Sequence, residues 1–172
     1  MSRIVAEKMN LCYVSSDEIG EKALDKQGGL DKAIKSGAIK EFIRKEGYSL
    51  ILNEYCSDNF VFDVSGGSIS SLEFHEASET LRKTANARSI VVGLLPYHDG
   101  SKSIDVLFPR EQKREHFKDL DGAILRERVA RHYSRLPSLF ETFCDIVIYT
   151  EDKKPIEVVD EILREIALRK KN

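Results

Sequence analysis

The run Ser89-Ile90-Val91-Val92-Gly93-Leu94-Leu95, ended by Pro96, is the strongest constraint on the fold of this chain. It is apolar at consecutive rather than alternate positions, so the strand it forms needs cover on both faces. Strands of that kind belong to parallel sheets. The flanking sequence agrees, because strand-like and helical segments alternate along the chain. That order predicts an α/β fold, a mainly parallel sheet flanked by helices.

Ile4, Val5, Met9 and Leu11 follow a helical spacing that stops near Lys8 and Asn10, and Leu11 to Val14 reads as a short strand. Ser16-Asp17-Glu18-Ile19 has the cap-then-acid chemistry of a helix start, and that helix is expected to run to Gly28-Gly29. A turn at Gly37 precedes a longer helix from about Ala38 to Tyr55. Phe60 to Val64 reads as a strand running straight into Ser65-Gly66-Gly67, and an amphipathic helix follows from Leu72 to Ala85. After the apolar run, Tyr97 to Lys118 is polar and basic. A helix from about Asp119 to Ser134 leads to a last strand, Asp145 to Tyr149, and Pro155 opens a final helix to Leu168.

The chain has 172 residues and fits one globular domain able to bury its own core. A third of the residues are charged, yet the net charge is only -2, so no global field favours nucleic acid or an anionic membrane. Basic residues show no aromatic interleaving, which also speaks against a nucleic-acid partner. Three cysteines, Cys12, Cys56 and Cys144, are scattered among apolar neighbours and read as buried reduced thiols rather than a disulfide framework. The four histidines show no metal-ligand spacing, so no metal site is read from them. No apolar run approaches the roughly 20 residues of a membrane span, and a soluble, cytoplasmic protein is expected. The basic end Arg169-Lys170-Lys171-Asn172 reads as a helix terminus offsetting its own dipole.

In parallel sheets ligands collect beyond the carboxyl ends of the strands. Three such ends carry marked residues: Ser15-Ser16-Asp17, Ser65-Gly66-Gly67, and Thr150 with Lys153-Lys154-Pro155. Glycines at a strand end let backbone N–H groups approach an anion or a hydroxyl, although a tight strand-to-helix turn also calls for them. Two roles are open to Asp17, a helix cap or a carboxylate that accepts from substrate hydroxyls and acts as a general base. Arg110 and Arg114 lie in the basic segment from Pro109 to Lys118, and Arg128, Arg131 and Arg135 share a helical face. Guanidinium groups bind carboxylate and phosphate bidentately. Arg135, at a helix end beside Pro137, is the strongest functional candidate among them, whereas Arg126 and Arg128 suit a solvated face.

These marks, in this order, resemble the shikimate kinase family, a branch of the P-loop nucleoside monophosphate kinase-like proteins. Ala6 to Asp17 is similar to the family's first helix, second strand and D-[ST]-D motif, with Asp17 at the substrate-binding aspartate. Ser65-Gly66-Gly67 stands where the family has G-G-G. Lys113-Arg114-Glu115-His116-Phe117 resembles its lid, placed at about 97–118, with Arg114 the best match to the phosphate-facing arginine and Arg110 the runner-up. Arg135 with Pro137 matches the element that contacts the substrate carboxylate. Thr150 to Pro155 matches the adenine-side loop, with Lys153 or Lys154 in place of its arginine.

The resemblance implies a three-layer P-loop kinase-like sandwich without its first strand, ATP and Mg2+ as cofactors, and a hydroxylated carboxylate such as shikimate as substrate. It also implies a place in aromatic amino acid biosynthesis. Asp17, Arg114 and Arg110 would be the catalytic residues, Asp17, Gly66, Gly67 and Arg135 the substrate ligands, and Lys153, Lys154 and Pro155 the nucleotide-side contacts.

The sequence departs from the family at three places. No G-x-x-x-x-G-K-[ST] occurs, so the first strand and the phosphate loop are missing. Ile43 stands where the family's F-R-x-x-E has its arginine, although Glu46 is kept. Ser15 and Ser65 replace an aspartate and a glycine. Loss of the central first strand would expose ladder groups on its neighbours, and loss of the phosphate loop would remove most kinase activity. The expectation is thus a kinase-type chain, either N-terminally truncated or diverged. The alternative is a non-catalytic relative that binds an anionic metabolite or a partner protein through the same strand ends.

Overall fold

Asn10, in the left-handed conformation at φ 54°, ends the first helix, and its N–H returns to the carbonyls of Ala6 and Glu7. That turn carries α1 (Ser2–Met9) into β1 (Cys12–Ser15). α2 (Ser16–Leu24) follows at once and continues through a 3-10 turn to Gly28 and Gly29, whose φ values of 94° and 87° only glycine adopts without strain. α3 (Gly29–Ser36) and α4 (Ile39–Phe42) come next, then a π-helical turn over Ile43–Gly47 and α5 (Tyr48–Glu54). β2 (Phe60–Asp63), α6 (Gly66–Ser70) and α7 (His75–Arg88) complete this half of the chain. Beyond lie β3 (Val92–Leu95), α8 (Gly100–Gln112), α9 (Gly122–Tyr133), α10 (Leu136–Phe143), β4 (Ile146–Tyr149) and α11 (Pro155–Arg169). The structure, a computed structural model, describes residues 1–169. Of the basic tail, Arg169 lies in the last turn of α11, and Lys170, Lys171 and Asn172 lie outside the described residues.

The chain forms two compact units, Met1–Ser89 joined by the segment from Pro155, and Ile90–Lys154. In the first, β1 and β2 pair in parallel with Cys12 opposite Phe60 and Ser15 opposite Asp63. α1 packs on β2 and on α11, which buries Val158, Val159 and Ile162. Tyr55, at the end of α5, sets its ring 5.3 Å from that of Phe62 and 6.2 Å from that of Phe60. A second cluster joins α2 to the following helices: Leu24, Ala33 and Phe42 are buried, with Leu30, Ile39, Ile43 and Leu50 packed on them.

In the second unit β3 and β4 pair in parallel, Val92 opposite Ile146 and Leu95 opposite Tyr149. α8 packs on α9, and Leu95, Leu125, Val129, Tyr133, Phe140, Phe143, Ile146 and Ile148 are buried. Gly93 is required here by close approach, because a Cβ would lie 2.6 Å from the Phe140 ring and 2.8 Å from Cys144 Sγ.

Among the described residues four strands pair in parallel, as two separate two-stranded sheets, β1–β2 and β3–β4. The strands are shorter than the apolar runs: Ser89 to Val91 precede β3 instead of joining it. The 97–118 segment is ordered as α8 and a 3-10 turn over Glu115–Phe117, with Asp99 capping α8 by accepting from Ser101 and Lys102 N–H. The helix expected from Ala38 to Tyr55 runs unbroken from Ile39 to Glu54 as α4, a π turn and α5 in succession. α3, α6 and α10 are short helices to which the sequence periodicity gave no separate signal.

Candidate functional site

Beyond the carboxyl ends of β1 and β2, two helix starts are tied together. Ser15 caps α2 by accepting from Glu18 N–H at 3.5 Å, and Ser65 caps α6 by accepting from Ser68 N–H at 3.3 Å. Between them, Ser65 N–H donates to the buried Ser16 Oγ at 2.9 Å. Asp17 and Gly66 each sit one residue beyond an end of that bond.

Asp17 is exposed in the first turn of α2 and makes no hydrogen bond or ion pair with the described residues. The cap role belongs to Ser15, which leaves the Asp17 carboxylate free. A Cβ on Gly66 or Gly67 would meet nothing within 4 Å, and neither residue has a positive φ. Packing and backbone geometry therefore do not demand glycine at these two positions. Nearby, Tyr13 donates to Asp63 Oδ2 at 3.3 Å, and the Arg3 guanidinium lies 4.1 Å from the centre of the Tyr13 ring while pairing with Glu18.

In the second unit Arg135 and Arg128 act on His132. Burial first, then the positive charge of Arg135, holds the His132 imidazole below its usual value; Arg128 adds to the effect and Glu111 opposes it. Glu111, which acts on His132, also pairs with Arg114 at 3.2 Å. Arg135 is half-buried at the start of α10. Arg110 is exposed in the last turn of α8, one residue after Pro109, which has no N–H to return to the helix. Arg128 is not a purely solvated charge: its guanidinium lies 4.8 Å from the centre of the Phe117 ring, against the 3-10 turn. Arg126 pairs with Asp105 at 2.5 Å.

After β4 the chain turns sharply, with Glu151 at φ 43° and its N–H on Pro96 O. His98 stacks on Tyr149 with ring centres 3.5 Å apart and meets Glu151 Oε1 through Nδ1 at 2.9 Å. Lys153 Nζ donates to Tyr149 O at 2.9 Å, Lys154 follows in the connecting segment, and Pro155 is the first residue of α11. The His98–Tyr149 stack joins residues from the ends of different strands, and no local motif announces it.

ATP and Mg2+ find only part of what they need among these residues. A short segment with Lys153 and Lys154 follows β4, but no G-x-x-x-x-G-K-[ST] motif is present in the sequence. Ser15, where the resembling family has a carboxylate, is buried and already occupied as a cap. The described residues do not make a nucleotide phosphate site.

The fold is that of the P-loop kinase-like α/β proteins. Within that class it is the shikimate kinase fold, and the chain is shikimate kinase-like in sequence as well. A structure of shikimate kinase from Acinetobacter baumannii in complex with shikimate superposes with a TM-score of 0.65 at 18% identity, covering 98% of this chain and 86% of that one. Shikimate kinase from Bacteroides thetaiotaomicron gives a TM-score of 0.69 at 16% identity, covering 96% and 88%. In sequence, a shikimate kinase of Flavobacterium psychrophilum is 24% identical over 164 residues, 94% of this chain and 88% of that protein. No protein-family model matches the chain.

Proposed function

We propose that this chain is the acceptor-binding part of a shikimate kinase-type phosphotransferase, and that its ligand is a small hydroxylated carboxylate. The observation that carries the reading is the open space over Gly66 and Gly67 beside an unpartnered Asp17, on two helix starts locked by the Ser16–Ser65 bond. Asp17 is suited to accept from a substrate hydroxyl and orient it. The Gly66 and Gly67 backbone can come close to the same ligand. By resemblance, Arg135 is the carboxylate ligand, Arg114 or Arg110 faces the transferred phosphoryl group, and Lys153, Lys154 and Pro155 border the nucleotide. ATP and Mg2+ enter through the relatives alone, and phosphoryl transfer requires a phosphate cradle from outside these 172 residues.

Titration calorimetry with shikimate, and separately with Mg-ATP, tests this. Shikimate is expected to bind, Asp17→Asn to weaken it by about tenfold, and Mg-ATP to show no micromolar binding. A folded chain that binds no shikimate overturns the reading. A second reading, a non-catalytic relative that keeps only the anion site, is favoured by three side chains. Ser15 and Ser65 are spent on caps, and Ile43 packs against the Leu24–Ala33–Phe42 core where the family would present a guanidinium.

A further inference from the structure

α6 has only five residues, too few to hold its own shape, and its last carbonyls have no partners within the helix. Those carbonyls are met from outside by three side chains. Tyr48 Oη donates to Ser68 O at 2.8 Å, Ser78 Oγ also lies 2.8 Å from Ser68 O, and Arg82 Nη1 donates to Ile69 O at 2.5 Å. Tyr48 Oη and Ser78 Oγ are themselves 2.7 Å apart, so two hydroxyl protons are shared among three short contacts, two of them made at any time. Ser78 is fully buried and Tyr48 nearly so. A guanidinium on the carbonyl end of a helix also complements its dipole. Tyr48 is the first residue of α5, directly after the π turn, whereas Ser78 and Arg82 lie on one face of α7. The clamp thus fastens α6 to two longer helices at the end opposite Gly66 and Gly67.

We infer that Tyr48, Ser78 and Arg82 are positioning residues that fix α6, and through it the Gly66–Gly67 backbone of the proposed acceptor site. The inference rests on the functional reading above for the ligand, and on the hydrogen bonds alone for the clamp. Tyr48→Phe is the informative variant, because the ring keeps its place 6.3 Å from Phe74 and Ser68 O keeps the Ser78 hydroxyl. No group is left orphaned, so the fold is expected to survive. Arg82→Met removes the donor to Ile69 O, and Arg82→Lys keeps a cation able to replace it.

The test is amide hydrogen exchange across Gly66–Ser70, followed in the same proteins by calorimetric titration with shikimate. In Tyr48→Phe and Arg82→Met the amides of α6 are expected to exchange about tenfold faster, with those of α11 unchanged, and Arg82→Lys to restore most of the protection. Shikimate binding is expected to weaken by about tenfold in the same two variants and to recover in Arg82→Lys. Unchanged α6 exchange overturns the clamp even if shikimate binds. Faster exchange with unchanged affinity overturns its role in the acceptor site. If the unaltered chain binds no shikimate, the functional reading fails, and the exchange rates alone decide the clamp.

Discussion

Two glycines in this chain, Gly93 and Gly67, look alike on paper and differ in what surrounds them. Gly93 is walled in by the Phe140 ring and Cys144 Sγ, and a Cβ there would overlap both. Gly93→Ala is therefore expected to destabilise the chain by about 1–3 kcal/mol in urea unfolding. Gly67→Ala faces open space at a helical φ, and is expected to change stability by less than about 1 kcal/mol, in the stabilising direction. The same Gly67→Ala variant is expected to bind shikimate more weakly in calorimetric titration while remaining folded. Cys144 gives a second residue-level prediction. Burial, helped by the Asp145 charge, pushes its thiol up to about 12 from 9, whereas Cys12 and Cys56 are exposed. Between those two values the unfolded chain gives up the thiol proton and the folded chain keeps it. The resulting stabilisation is fully present below pH 9 and is lost as pH rises through 12. Urea midpoints compared between the unaltered chain and Cys144→Ala at pH 7.5 and pH 10.5 are expected to narrow by on the order of 1 kcal/mol, with partial exposure of the thiol taken into account. A thiol reagent at pH 8 is expected to label Cys12 and Cys56 promptly and Cys144 only on unfolding.

Elements with their own chemical signature were legible in the sequence, and those that exist because of distant partners were not. Asp17-Glu18 after Ser16 marks the start of α2, the β-branched runs mark β3 and β4, and Pro155 marks α11, all from neighbours in the chain. The cap of α2 turned out to be Ser15, one residue earlier than Ser16, and this frees Asp17 and turns Ser16 inward to Ser65. That bond spans 49 positions and no spacing rule could foresee it. α6 is a sharper case, since its donors come from Tyr48, Ser78 and Arg82, none of which carries a motif. Ile43, a departure at sequence level, gains its reason only from the cluster it packs on. Asp121 tests how far local chemistry carries an element. It caps α9 through the N–H groups of Ala123 and Ile124, at 2.8 and 3.2 Å. Asp121→Ala is expected to lower stability by about 1 kcal/mol, read as a shift in the urea midpoint, and Asp121→Asn to recover most of it.

At the scale of the whole molecule, the open question is whether a chain with the shikimate kinase fold and no phosphate-loop motif is a kinase part or a binding protein. The parallel strands form two separate ladders, and each of the pairs β1–β2 and β3–β4 has strand edges that no ladder partner fills among the described residues. Strand edges of this kind accept a further strand readily. In the kinase-part reading, a strand followed by a phosphate loop would serve there, bringing backbone donors and a lysine that Arg110, Arg114 and Arg135 cannot replace. Each arginine adds one bidentate contact to a transferring phosphoryl group, whereas the loop surrounds the donor phosphates with oriented N–H groups. The chain alone is therefore expected to show no phosphoryl transfer from ATP to shikimate above background. Fusing the strand and phosphate loop of a shikimate kinase relative ahead of Met1 separates the two readings. Transfer in the fusion, lost again in Asp17→Asn with the fold intact, is expected if the acceptor half is competent. Binding of both ligands by the fusion without transfer would assign the chain to the non-catalytic reading, because Ser15 and Ile43 would then have removed groups that the reaction needs.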